Sequence, residues 1–320
     1  LDLLLDDALE RLRVDHASAR VTAERPVPMV YELLADDAAE LGEVVLFAYD
    51  WRLSIRQAAR ALLARLERLA MDTPGAEVVI VAHSLGALVV RHAAQLRDLS
   101  SVVTQLIALG PPFAGSHAAT DALAGAHPWF EAFGGRAREV QLMIGTTTGL
   151  YELLPWASRA PALYDADWWP AELGISAARL QDAHALHQQL GQPSSLDAVT
   201  DVVFAADRST IADVAWEQGE LVTTRTGPGD GTVLATSTTP FSVRSSWQAE
   251  GDHTLLPLLP GVRRAALALV RSRGCEAHEL PAVLAHACAV EPRLGRWAAR
   301  DAEGHAPRVH HPMLSLLAGF

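Results

Sequence analysis

The pentapeptide Ala82-His83-Ser84-Leu85-Gly86 lies between an apolar run, Val78-Val79-Ile80-Val81, and a stretch of helix-forming residues at 87–97. A serine between a short apolar strand and a helix is the pattern of a nucleophile elbow, a sharp turn that lifts the serine Oγ above the end of the strand. The turn brings the strand and helix backbones close together, which calls for small residues at 82 and 86. It also holds the serine in a sparsely populated backbone conformation. Ala82 and Gly86 meet the size requirement, alanine standing where glycine is more usual. Ser84 is thus the candidate nucleophile. A serine that only caps a helix would give the same local pattern, so the assignment depends on what else the chain supplies.

Of the 320 residues half are hydrophobic and 20% charged, enough to bury a large core and too apolar for a disordered chain. A formal net charge of −12 would repel a phosphate backbone, which argues against nucleic acid as a partner. No apolar stretch reaches the ~20 residues of a transmembrane helix, so the chain is expected to be soluble or peripheral. Cys275 and Cys288 are the only cysteines and lack metal-ligand spacing. A disulfide framework is excluded, one optional disulfide stays open, and so does the compartment. The sequence starts at Leu1, with Asp2, Asp6 and Asp7 where a signal peptide would be basic, which suggests a fragment or a processed N-terminus.

Along the chain, 31–41 carries apolar residues at helical spacing, and 44–49 is β-branched and aromatic enough for a buried strand. Ser54 and Gln57 form a capping box for an amphipathic helix that ends near Thr73-Pro74-Gly75. The elbow strand and helix follow, then a buried strand at 102–109. Strands alternating with helices predict a mostly parallel sheet covered on both faces. The alternation stops at Pro111-Pro112, and the sequence to about 195 is irregularly helical and rich in Trp and Pro, as in an inserted cap. Strands return at 199–205 and 241–243, and 262–271 closes the unit as a helix. The expected organisation is a core at 1–111, a helical cap at 112–197, the rest of the core at 198–274 and an extension at 275–320. This organisation is the one expected of an α/β-hydrolase fold.

An acyl-transfer serine needs a base and a carboxylate to orient it, here in the chain order Ser, acid, His. Gly229-Asp230-Gly231-Thr232 makes a tight loop able to present Asp230, and Asp252-His253 lies between the last strand and the last helix. Ser84, Asp230 and His253 fall in the required order. Asp207, directly after the 199–205 strand, is the competing acid, and Asp230 alone reads equally well as a turn residue. His83 should point away from Ser84 and pack. His184 and His187 share a helix face, and His310-His311 lie in the C-terminal extension; no third ligand for a metal is evident.

Phe47-Ala48-Tyr49-Asp50-Trp51-Arg52-Leu53 resembles the Tyr-Asp-Trp-Arg signature of the lecithin:cholesterol acyltransferase family. Further matches are the elbow, Gly110-Pro111-Pro112-Phe113-Ala114-Gly115-Ser116, Tyr151-Glu152-Leu153-Leu154-Pro155, Gly229-Asp230-Gly231-Thr232-Val233 and His253. The resemblance implies acyl transfer from a phospholipid or other lipid ester to an alcohol or water, through a triad of Ser84, Asp230 and His253 and an acyl-enzyme. It implies no metal and no organic cofactor, with a substrate met at a membrane or lipoprotein-like interface. Tyr49, Trp51 and Phe113 would contact substrate; Asp50 and Arg52 would shape the wall or simply lock their loop as an ion pair. The Leu85 N–H would donate to the oxyanion. The family's second donor comes from a glycine-containing loop after its first strand, and no glycine precedes Gly42. That strand and loop are therefore expected to be missing, through truncation of the sequence. The alternative is a non-catalytic lipid-binding protein with an incomplete oxyanion hole. Trp129, Phe130, Phe133, Trp156, Tyr164, Trp168 and Trp169 concentrate aromatics in the cap, either as a lid that opens on lipid or as the cap's own core.

Overall fold

A computed structural model describes residues 25–272, together with Leu9, 12–15 and 23. The expected extension at 275–320, with both cysteines and His310-His311, lies outside the described residues. Four parallel strands form the sheet in the order β1 (Val78–His83), β2 (Val103–Leu109), β3 (Thr200–Ala205) and β6 (Ser245–Ala249). Two further strands, β4 (Arg208–Glu217) and β5 (Glu220–Gly229), pair as a separate antiparallel hairpin.

Alternate residues of the parallel strands feed two cores, as the two-residue period of a strand requires. Leu106, Ala108 and Val202 pack on one face with Ile55, Ala59, Leu62 and Leu66 of α2 (Ile55–Asp72) and with Leu88 of α3 (Leu85–Leu96). Ile107, Leu109, Val203 and Ala205 pack on the other with Leu34 of α1 (Pro28–Ala39) and Val262, Ala266 and Leu269 of α7 (Pro260–Arg271). Each fully buried leucine contributes about 1.5–3 kcal/mol of transfer free energy. The cap consists of α4 (His117–Ala124), α5 (Ala137–Ile144), α6 (Ala177–Leu190) and several short 3₁₀ turns, consistent with the irregular composition of that region.

Two expectations are corrected. Residues 44–49 are not a strand, and Val44, Val45 and Leu46 are exposed. β1 bonds only to β2 among the described residues, so no ladder is available to order this segment as a strand. The last strand starts at Ser245, not at 241. Phe241 instead packs against Phe113 and under the Arg91 guanidinium, while the edge strand itself reads Ser-Ser-Trp-Gln-Ala because one side faces solvent. The stretch between β3 and Asp230 forms the β4–β5 hairpin, closed by Gln218 and Gly219, both at positive φ as a two-residue hairpin turn demands.

The α2 N-terminus also differs from a simple capping box. Ser54 accepts from Arg56 N–H at 3.2 Å, but the carboxylate that reaches the helix start is Glu152 of the cap, not Gln57. Glu152 accepts from Ser54 Oγ at 2.6 Å and from Ile55 N–H at 2.5 Å. A buried anion on orphan amides at a helix start is favourable, and it ties the cap to the core.

Candidate active site

Ser84 occupies φ 52°, ψ −128°, between the end of β1 and the start of α3. A β-carbon is strained there, and the conformation persists because its surroundings hold it. Ser84 N–H donates to Leu109 O at 2.9 Å, and Ser84 O accepts from Ala87 N–H at 3.0 Å. A methyl at Gly86 would lie 3.6 Å from Tyr49 Oη and 3.7 Å from the Ala82 β-carbon, both ordinary contact distances. The close approach is instead at Gly110, where β2 ends at φ 54°. A β-carbon there would meet Leu256 at 2.8 Å, His253 Nδ1 at 3.1 Å and Asp230 Oδ2 at 3.2 Å.

Ser84, His253 and Asp230 are brought together from three separate parts of the chain. Ser84 Oγ lies 2.9 Å from His253 Nε2, and His253 Nδ1 lies 2.7 Å from Asp230 Oδ2. The other Asp230 oxygen accepts from Val233 N–H at 2.7 Å and Thr232 N–H at 3.1 Å. His253 N–H also donates to Asp230 O at 2.9 Å, so backbone and side chain set the histidine against its acid together. Burial alone would disfavour the Asp230 carboxylate; His253 and the two amides outweigh it and hold the group below its usual value. An ionised Asp230 accepts from Nδ1–H, which leaves Nε2 free to take the serine proton.

Asp207 is not part of this chain of bonds. It accepts from Gly251 N–H at 2.8 Å and faces Arg208 at 3.3 Å. Asp50 and Arg52 form a two-pronged ion pair, at 2.8 and 2.5 Å, that locks their loop. Leu85 opens α3, and its N–H has no protein acceptor among the described hydrogen bonds. A small cleft beside Ser84, with a cavity volume of about 10 Å³, is lined by Pro112, Ser116, Ala119, Leu153, Thr232 and Val233. Tyr49 lies against the elbow glycine, Trp51 turns its carbonyl towards Gly149, and Phe113 is buried against Phe241; none of the three lines this cleft. Leu153 and Ser116 sit within sequence blocks noted above, but nothing in those blocks marks them as cleft residues.

The cap aromatics pack inward. Trp129 stacks on Phe130 at 3.9 Å with Phe133 edge-on at 5.6 Å, and Trp169 donates to Leu163 O at 3.0 Å. His187 is buried between Tyr164 Oη, at 2.6 Å, and Glu152 O, at 2.7 Å, so both ring nitrogens are engaged. No cluster of three or more His, Cys, Asp or Glu is placed to hold a metal among the described residues, and no described helix is long and apolar enough to cross a membrane.

A serine on a positive-φ turn between a parallel strand and a helix, over a sheet covered on both faces, defines the class: this is an α/β-hydrolase fold. Residues 29–172 match the family model described as Lecithin:cholesterol acyltransferase, so the resemblance to that family holds over this segment. The match takes in the Tyr-Asp-Trp-Arg block, the elbow and the Tyr-Glu-Leu-Leu-Pro block, and ends before Asp230 and His253. A crystal structure of a Tle4–Tli4 complex is similar at TM-score 0.50 and 17% identity, covering 69% of this chain and 66% of that one, so the chain spans just under two thirds of it. Lipase BlEst2 of Bacillus licheniformis in its mature form gives 15% identity and TM-score 0.41, over 69% of this chain and 76% of that one. Phospholipase PlaB of Legionella pneumophila gives 16% and 0.34, over 66% and 42%. No curated protein matches the sequence.

Proposed function

We propose that the chain is a serine acyl hydrolase or O-acyltransferase acting on lipid esters. The observation that carries this reading is the unbroken bond chain from Ser84 Oγ through His253 to Asp230. The family match at 29–172 supports lipid esters as the substrate class, by hydrolysis or by acyl transfer.

In the proposed reaction Ser84 Oγ attacks the ester carbonyl carbon and its proton passes to His253 Nε2. The carbonyl oxygen becomes an oxyanion facing Leu85 N–H. When the ester C–O bond breaks, the proton moves from Nε2 to the departing alcohol, leaving an acyl-serine. Water or an acceptor alcohol then gives a proton to Nε2 and attacks the acyl carbon, which restores Ser84. Asp230 keeps Nδ1 protonated throughout and stabilises the transient imidazolium without taking its proton.

Phospholipid vesicles supplied with and without a long-chain alcohol test the reading. Release of free fatty acid, or formation of a new ester when the alcohol is present, is expected from the wild type. Ser84→Ala should lower either rate by about 10⁶-fold, since the three residues act as a unit. Activity within tenfold of the parent would place the nucleophile elsewhere.

A further inference from the structure

The residue before the nucleophile carries a second network that the reaction above does not use. His83 is buried at the end of β1, its side chain bonded to α1 and to the backbone of His253. Its Nε2 lies 3.0 Å from the backbone O of His253, and its Nδ1 lies 2.9 Å from Tyr31 Oη on α1. A carbonyl oxygen can only accept, so Nε2 carries the hydrogen. Nδ1 is then the acceptor, and the Tyr31 hydroxyl donates to it. The direction of the whole relay is thereby fixed as Tyr31 O–H to His83, and His83 N–H to the His253 carbonyl.

We propose that His83, oriented by Tyr31, is a positioning residue that pins the backbone of His253 to the nucleophile elbow and so sets the Ser84–His253 distance. This rests on the proposed catalytic role of Ser84 and His253. The peptide unit of His253 is held at two points. Its N–H is bound to Asp230 O at 2.9 Å, and its carbonyl to His83. The second tie comes from the residue adjacent to Ser84, so a shift of the elbow moves nucleophile and base together. The imidazole rings of His83 and His253 lie 4.9 Å apart. Burial, with His253 alongside, pushes His83 down to about 3, which keeps the ring neutral at working pH, and the two hydrogen bonds select its tautomer. The same design recurs in the cap, where Tyr164 and His187 hold the Glu152 carbonyl. There the bound residue anchors the start of α2 and not a reacting group.

The test compares His83→Phe, His83→Gln and Tyr31→Phe in the full chain, using a short-chain nitrophenyl ester and a fluorophosphonate probe. His83→Phe keeps an aromatic ring and removes the donor; kcat should fall about 10–10²-fold with KM within about threefold, the cost of a misplaced base. His83→Gln returns an N–H near the position of Nε2 and should recover kcat to within about fivefold of wild type. Tyr31→Phe should lose less than His83→Phe. Nitrogen-15 NMR of the wild type should show His83 as the Nε2–H tautomer, and Tyr31→Phe should loosen that preference. Equal kcat in His83→Phe and His83→Gln at matched folded fraction, or an Nδ1–H tautomer in the wild type, would overturn the proposal. A wild type inert to ester and probe would contradict the proposed function; an Nε2–H tautomer that Tyr31→Phe releases would still support the positioning.

Discussion

At the residue scale two aspartates competed for one role, and geometry separates them. Asp230 has one oxygen on His253 and the other on two amides, whereas Asp207 is spent on Gly251 N–H and Arg208. Asp230→Asn should therefore lower turnover by roughly 10⁴-fold through the wrong imidazole tautomer, and Asp207→Asn should stay within about tenfold of wild type, as steady-state kinetics on one ester would show. A reversed order would remove Asp230 from the acid role. The glycines around Asp230 made its loop visible in the sequence. The positive φ of Ser84 was equally foreseeable from its strand-to-helix context. What the sequence did not carry is the use of His83: alternation says which way its side chain leaves the strand, but not that a carbonyl 170 residues away and a tyrosine 52 residues away meet it there.

Elements inside the sheet were legible because burial on both faces favours apolar runs, as at 106–109 of β2 and 202–205 of β3, although buried Gln105 and Asp201 precede those runs. Elements at the margins were not. β6 is an edge strand with polar residues, and the apolar Phe241 before it serves a loop contact with Arg91, so composition alone put the strand four residues early. The hairpin's Gln-Gly turn is present in the sequence, but its strands carry Asp, Glu, Arg and Thr among their apolar residues and no continuous apolar run marks them. At 44–49 strand propensity was real, yet a strand exists only with a partner.

Two joints between elements make specific predictions. Gly110→Ala should cost activity as well as stability, because at φ 54° its β-carbon would meet Leu256 at 2.8 Å and press on His253 and Asp230. A kcat loss of about 10²-fold with the protein still folded by circular dichroism is expected, from a base displaced by a few tenths of an ångström to an ångström. Glu152→Ala should act on stability alone. It strips the α2 N-terminus of its buried acceptor, so Ile55 N–H loses its partner, and unfolding free energy should drop by about 1–3 kcal/mol in a denaturant titration.

Over the whole molecule, buried titratable groups couple folding to pH. Burial pushes His83 down to about 3 and His187 and His127 to about 4, and it lowers His92 and His117 as well. These rings stay neutral in the folded protein but take protons in the unfolded chain below about pH 6.5. Their contribution is therefore complete above about 6.5 and is lost as pH falls towards the folded values. Asp121, pushed up to about 6 by burial, and Glu152, also raised by burial, bind protons in the folded state and work in the opposite sense. The histidines outnumber them, so stability should fall between about pH 6.5 and 4, by about 1.4 kcal/mol per pH unit for each net proton taken up on unfolding. Urea midpoints measured across that range check the sign; a flat or rising profile towards pH 4 would show that the carboxyls dominate.

The central claim is that the fold assembles an activated serine from three distant segments, and covalent labelling tests it most directly. A fluorophosphonate probe at neutral pH should attach to one residue, Ser84, identified by peptide mass spectrometry. The labelling rate should fall by at least about 10³-fold in both Ser84→Ala and His253→Ala, because a serine without its base is a weak nucleophile. Attachment at another residue, or a rate in His253→Ala equal to that of the wild type, would contradict the account.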